Sequence, residues 1–142
     1  HSVLVVDDEA GTQALMKGHL EELGLLVTVA GNGQEAERAM EGFRPDLILL
    51  DLMMPVMDGT AFLQRLRRDP ARAGIPVVIC TGKNLLPAER ERLKAEAVEI
   101  LSKGGDFQGR LRKLLSGIFP QQAGSTHARG SPARRQEGPR EA

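Results

Sequence analysis

At 142 residues the chain has the length of one domain with a single buried core. Its 19 Lys and Arg balance 19 Asp and Glu, so no global field draws it to nucleic acid or to an anionic membrane. No apolar stretch is long enough to span a bilayer, no signal-peptide pattern opens the chain, and the single cysteine, Cys80, excludes an internal disulfide and suits a reducing cytoplasm.

The chain has no initiator methionine, and His1-Ser2 lead directly into strand composition, as expected of an added scar or the cut edge of a longer polypeptide. Val3 to Val6 form a short β-branched run that stops at Asp7-Asp8-Glu9, so the first strand delivers acids at its carboxyl end. Leu15, Met16, Leu20 and Leu23 follow at helical spacing, and Gly24 suits the end of that helix. Leu25 to Ala30 return to strand composition. Gly31-Asn32-Gly33 turn the chain into a short helix whose Ala36, Ala39, Met40 and Phe43 can face a core.

The third strand, Leu47 to Leu50, is a continuous apolar run, the pattern of a strand covered on both faces of a parallel sheet. It closes on Asp51, and Met53-Met54-Pro55 with Asp58-Gly59 mark an ordered turn into the next helix. That helix puts Phe62, Leu63 and Leu66 inward, leaves Arg65, Arg67 and Arg68 mostly outward, and ends around Asp69-Pro70. Val77 to Thr81 read as a fourth buried strand that ends in a hydroxyl. Pro87 opens a charged helix expected to run through Glu96, and Val98 to Leu101 form a fifth strand with Ser102-Lys103 at its end. From Asp106, Leu111, Leu114, Leu115 and Ile118 line the inner face of a last helix that stops at Pro120.

Five repeats of strand then helix predict an α/β fold, a parallel sheet with helices on both faces. Residues 120–142 hold prolines, glycines and four arginines but no large apolar residue, so they are expected to form a disordered tail with no core of their own.

The strand ends present Asp7 and Asp8, Asp51, Thr81 and Lys103; only the second strand, ending at Gly31, brings nothing. In the flavodoxin-like doubly wound order 2-1-3-4-5 the first and third strands are neighbours at the topological switch point, where ligands bind. Three carboxylates then share one crevice and suit a hard cation such as Mg²⁺. A lysine and a threonine opposite add a positive charge and a hydroxyl donor aimed at an anion. That combination describes phosphoryl transfer to a carboxylate, with Asp51 as nucleophile.

With Asp7-Asp8, the run from Asp51 to Gly59, Thr81 and Lys103, at intervals of 43, 30 and 22 residues between Asp8, Asp51, Thr81 and Lys103, the chain resembles the receiver domain of two-component response regulators and hybrid histidine kinases over about residues 3–119. The resemblance implies a receiver domain over 1–119 and a tail over 120–142. It also implies that Asp51 accepts a phosphoryl group from the phosphohistidine of a histidine kinase or phosphotransfer protein. Asp8 and Asp51 would hold Mg²⁺ with the Met53 carbonyl, Asp7 would act mainly through a metal-bound water, and Thr81 and Lys103 would contact phosphoryl oxygens. The output face would be the surface of the fourth helix, fifth strand and fifth helix, which would serve an unknown downstream protein or a homodimer, with no nucleic acid or membrane bound by this domain. Enzymatic activity would be limited to the domain's own phosphorylation and dephosphorylation.

Two positions depart from the family pattern. Ile100 stands where an aromatic switch residue is frequent, and Gly104-Gly105 follow Lys103 where a proline is common, so a looser Lys103 loop is expected. The resemblance also implies that Met53 and Lys83, two residues beyond Asp51 and Thr81, would flank the route of water to the phosphate. Three other readings compete. Gly31-Asn32-Gly33-Gln34-Glu35-Ala36 matches the dinucleotide fingerprint G-x-G-x-x-A, but leaves the acids, Thr81 and Lys103 without a role. A phosphatase resembling the haloacid dehalogenases would carry its nucleophile on the first strand with a second acid two residues on, whereas Asp7 and Asp8 are adjacent. A receiver-shaped interaction module that is never phosphorylated is the third. His19 is expected on an exposed helix face, Met53, Met54 and Met57 in loop packing, and the helix arginines in solvent.

Overall fold

The computed structural model describes residues 1–82 and 84–119. Lys83, His127 and the tail expected over 120–142 lie outside the described residues. The elements alternate from β1 (Ser2–Val6) and α1 (Ala10–Glu22) through β2 (Leu26–Ala30), α2 (Gly33–Ala39), β3 (Leu47–Leu50) and α3 (Gly59–Arg68). They continue with β4 (Val77–Thr81), α4 (Pro87–Lys94), β5 (Glu99–Ser102) and α5 (Phe107–Ile118). The five strands form one sheet in the order β2-β1-β3-β4-β5, and all pairs are parallel.

Strand side chains alternate between faces, so each continuous apolar run feeds two cores. Leu4, Val6, Ile48, Leu50, Val77 and Ile79 pack with Phe62, Leu63 and Leu66 of α3 and Leu93 of α4. Val3, Val5, Leu47, Leu49, Val78 and Cys80 turn the other way, onto Met16 and Leu20 of α1 and Leu111 and Leu115 of α5. This is why β1 from Val3, all of β3, and β4 up to its terminal Thr81 are apolar: both faces are covered. β2, at the edge, is mostly exposed.

Side-chain caps start three helices: Asn32 accepts from Glu35 N–H, Asp58 from Ala61 N–H and Asp106 from Gly109 N–H. Gly24 follows α1 at φ +86°, the left-handed geometry expected of a helix-ending glycine.

Several local expectations shift. β2 starts at Leu26 and β5 covers Glu99–Ser102, while α4 ends at Lys94 rather than Glu96. Leu15 is 59% exposed and lies off the buried stripe of α1. His19 is partly buried, and its Nε2 lies out of solvent without a hydrogen-bond partner. Arg67 is no solvated helix residue: its guanidinium donates to the carbonyls of Ala73, Ile75 and Glu96. Arg65 makes a two-point ion pair with Glu37 of α2.

Candidate functional site

Parallel pairing sets the site. Val6 is in register with Leu50, and Asp51 N–H donates to the Val6 carbonyl (2.9 Å), so Asp7 and Asp51 leave adjacent strands side by side. Ligand oxygens of Asp7, Asp8 and Asp51 lie within 4.8 Å of one another. Asp7 and Asp51 are buried, whereas Asp8 is exposed. On the other side β4 pairs with β5 with Thr81 opposite Ser102, and Lys103 N–H donates to the Thr81 carbonyl (3.0 Å). That hydrogen bond anchors Lys103 beside the end of β4, and its side chain turns back across the site. Nζ lies 2.6 Å from Asp7 Oδ2 and 3.4 Å from Asp51 Oδ2. The five residues singled out at the strand ends, Asp7, Asp8, Asp51, Thr81 and Lys103, therefore gather at one end of the sheet.

The carboxylates are individually held. Asp7 Oδ1 accepts from Glu9 N–H (3.0 Å), and Asp51 Oδ1 accepts from Met53 N–H (3.2 Å). Burial pushes the Asp51 carboxyl above its ordinary value; the Met53 amide and the Lys103 charge pull it down, and the charge of Asp7 pushes it up again. Burial also works against the Lys103 ammonium, but its hydrogen bond to Asp7 and the charges of Asp51 and Asp7 outweigh that and raise it. Three negative charges against one positive leave the cluster short of cation. Its donors are hard oxygens with no thiolate or imidazole among them, a set that fits Mg²⁺ or a similar divalent ion.

The loop after β3 forms the rim. Asp8, Leu52, Met53, Met54, Pro55 and Asp58 line a shallow depression beside the acids. Met57 N–H donates to the Pro55 carbonyl (2.7 Å) across Val56, which sits at φ +66°, making a γ-turn of the strained hand. Gly33 latches this turn to α2. Its N–H donates to the Met57 carbonyl (3.2 Å), and a Cβ at Gly33 would lie 2.7 Å from Met57 Sδ. Neither feature was legible in the sequence, because φ at Val56 and the approach of Met57 to Gly33 depend on where α2 and the loop meet. Met54 and Met57 do pack against the core as expected, but Met53 is 60% exposed.

The glycine fingerprint is thereby explained without a nucleotide. The amides that would cradle a pyrophosphate are taken: Gly31 N–H donates to Glu35 Oε1 (2.7 Å), Gly33 N–H to Met57, and Glu35 N–H to Asn32 Oδ1 (2.9 Å). β2 is moreover an edge strand, away from the switch point between β1 and β3.

Fold and site together define an α/β signalling domain of the response-regulator class. Residues 3–115 match the response regulator receiver domain family, and the chain belongs to that family. It is 32% identical over 137 residues to the response regulator Rre1 of Synechocystis, covering 96% of this chain and 59% of that protein. The chemotaxis protein CheY4 of Vibrio cholerae superposes with a TM-score of 0.74 at 28% identity, covering 83% of this chain and 98% of that one. The signal receiver domain of a histidine kinase from Syntrophus aciditrophicus superposes with a TM-score of 0.70 at 28% identity, covering 94% and 97%. The chain spans about half the length of the curated relatives it matches.

Proposed function

We propose that this domain is the phosphoacceptor of a two-component relay, with Asp51 as the residue that carries the phosphoryl group. The observation that carries this reading is the buried Asp51 carboxylate at the end of the central strand, with Asp7, Asp8 and the Lys103 ammonium around it. An Asp51 oxygen attacks the phosphorus of a phosphohistidine on a histidine kinase or phosphotransfer protein. The P–N bond breaks, its electron pair returns to the imidazole, and an acyl phosphate forms on Asp51. Attack by water releases inorganic phosphate and restores the carboxylate.

Asp8, Asp51 and the Met53 carbonyl would hold Mg²⁺, with Asp7 acting through a bound water. The ion supplies charge neutralisation to the phosphoryl oxygens. Lys103 pairs with one phosphoryl oxygen, and the Thr81 hydroxyl donates to another. Ile100 is buried in the core, so the readout proceeds without an aromatic flip at that position. The signal passes to a downstream protein, or to a second copy, through α4, β5 and α5. The cytoplasm is the compartment that fits this relay.

Intact mass after incubation with a small phosphodonor tests the chemistry. One added phosphoryl group is expected with Mg²⁺ on the wild type and none on Asp51→Asn. Labelling that persists in Asp51→Asn would move the site elsewhere, and no labelling of the wild type under any condition would favour an interaction module that is never phosphorylated.

A further inference from the structure

We propose that Arg110 is a positioning residue for Lys103, clamping the backbone on both sides of it. This rests on the reading above, in which Lys103 pairs with the phosphoryl group. The chain after Lys103 is Gly104-Gly105, the segment with the greatest backbone freedom near the site, and Gly105 sits at φ +59°. The Lys103 N–H bond to the Thr81 carbonyl holds the residue on its strand side, and the two glycines put the backbone freedom on the other. Arg110 Nη2 donates to the Ser102 carbonyl (2.7 Å) and to the Gly104 carbonyl (2.6 Å), which belong to the residues before and after Lys103. The guanidinium also lies over Gly105, where an added Cβ would meet Nη1 at 3.6 Å.

The clamp stands on a rigid base. Asp106 caps the first turn of α5 through Gly109 N–H (3.1 Å), and Leu111, next to Arg110, is buried against the sheet. Both charge-assisted bonds leave one nitrogen, Nη2, so a single cationic donor set between the two carbonyls makes the clamp, and an ammonium in that place can do the same. The loop expected to be loose is therefore tied from outside rather than stiffened by its own residues. Arg110 touches none of Asp7, Asp8, Asp51 or Met53, so the clamp acts on the lysine side of the site alone. Its exposure means that water can solvate the two carbonyls once it is removed.

The test compares wild type, Arg110→Ala and Arg110→Lys. Four quantities are followed: the rate of labelling by a small phosphodonor at saturating Mg²⁺, the Mg²⁺ Kd by calorimetric titration of the Mg²⁺-free protein, the melting temperature, and amide hydrogen exchange at Gly104 and Gly105. Arg110→Ala is expected to slow labelling about tenfold through the misplaced ammonium. Mg²⁺ Kd and melting temperature should stay unchanged, the two glycine amides should exchange faster, and Arg110→Lys should recover most of the rate. Wild-type labelling by Arg110→Ala overturns the proposal, as does a loss that tracks Mg²⁺ affinity or is not recovered by lysine. If the wild type itself takes no phosphoryl group, the function proposed above fails, and exchange alone decides the clamp: faster exchange at Gly104 and Gly105 in Arg110→Ala upholds it, unchanged exchange removes it.

Discussion

Val56 holds φ +66° with its side chain 78% exposed, so a β-branched residue occupies left-handed backbone and gains little burial in return. Such a conformation costs on the order of 1–3 kcal/mol. Asparagine tolerates it far better, and the polar side chain sits as well in solvent. Val56→Asn is therefore expected to stabilise the fold by about 1 kcal/mol, read as a higher urea midpoint with the same m-value. A lower midpoint would mean that the valine makes a contact worth more than its strain. The neighbouring latch at Gly33 shows what holds the strained turn in place: Met57 is bonded to α2 on one side, and Gly59 N–H donates to the Leu52 carbonyl (3.1 Å) on the other.

At the scale of elements, Arg67 joins two connections that the sheet alone leaves apart. From the last turn of α3 it reaches the carbonyls of Ala73 and Ile75 (both 2.8 Å) before β4, and that of Glu96 after α4. Burial lowers the tendency of its guanidinium to stay charged, and Glu96 offsets this. Arg67→Ala leaves three carbonyls to compete for water in a half-closed space and is expected to destabilise by about 2 kcal/mol, with solvent screening keeping the loss moderate. Arg67→Lys should recover only part, because one ammonium cannot span carbonyls on two sides. Chemical denaturation of the pair checks both.

The same elements show what a one-dimensional reading reaches. β3 and β4 were legible because burial on both faces leaves an unbroken apolar run, and the acids and lysine were legible because parallel strands bring their carboxyl ends together. Arg67 and Arg110 were not. An arginine at helical spacing looks the same whether it faces water or a neighbouring carbonyl, and which of these holds is decided by connections many residues away. Leu15 failed for the converse reason: its spacing fits the apolar stripe of α1, but the stripe that α5 and the sheet cover is narrower. His19 lies at the edge of that covered stripe, which leaves its Nε2 buried and unpartnered.

For the molecule as a whole, Cys80 reports on the integrity of the sheet. It lies in β4 with its thiol in the core beneath α1 and α5, and burial pushes its pKa up to about 12, against an opposing pull from Lys103. The folded thiol therefore holds its proton where the unfolded thiol, with an ordinary value of 9.0, gives it up. Fewer protons on the unfolded chain mean that stability falls as pH rises from about 9 towards 12. At pH 8 an aromatic disulfide reagent is expected to modify the native protein only at the rate of global opening, and rapid modification without denaturant would show that β4 opens by itself.

No described helix is long and apolar enough to cross a membrane. The ion pair between Lys103 and Asp7 joins residues 96 positions apart, almost the full length of the described fold. During synthesis the clustered acids thus leave the ribosome before their internal counter-charge. A nascent chain that has β1 and β3 but not β5 carries uncompensated like charges beside an unpaired strand edge. Closing the sheet and neutralising the acids become one event, so an unfinished chain has no preassembled acidic site.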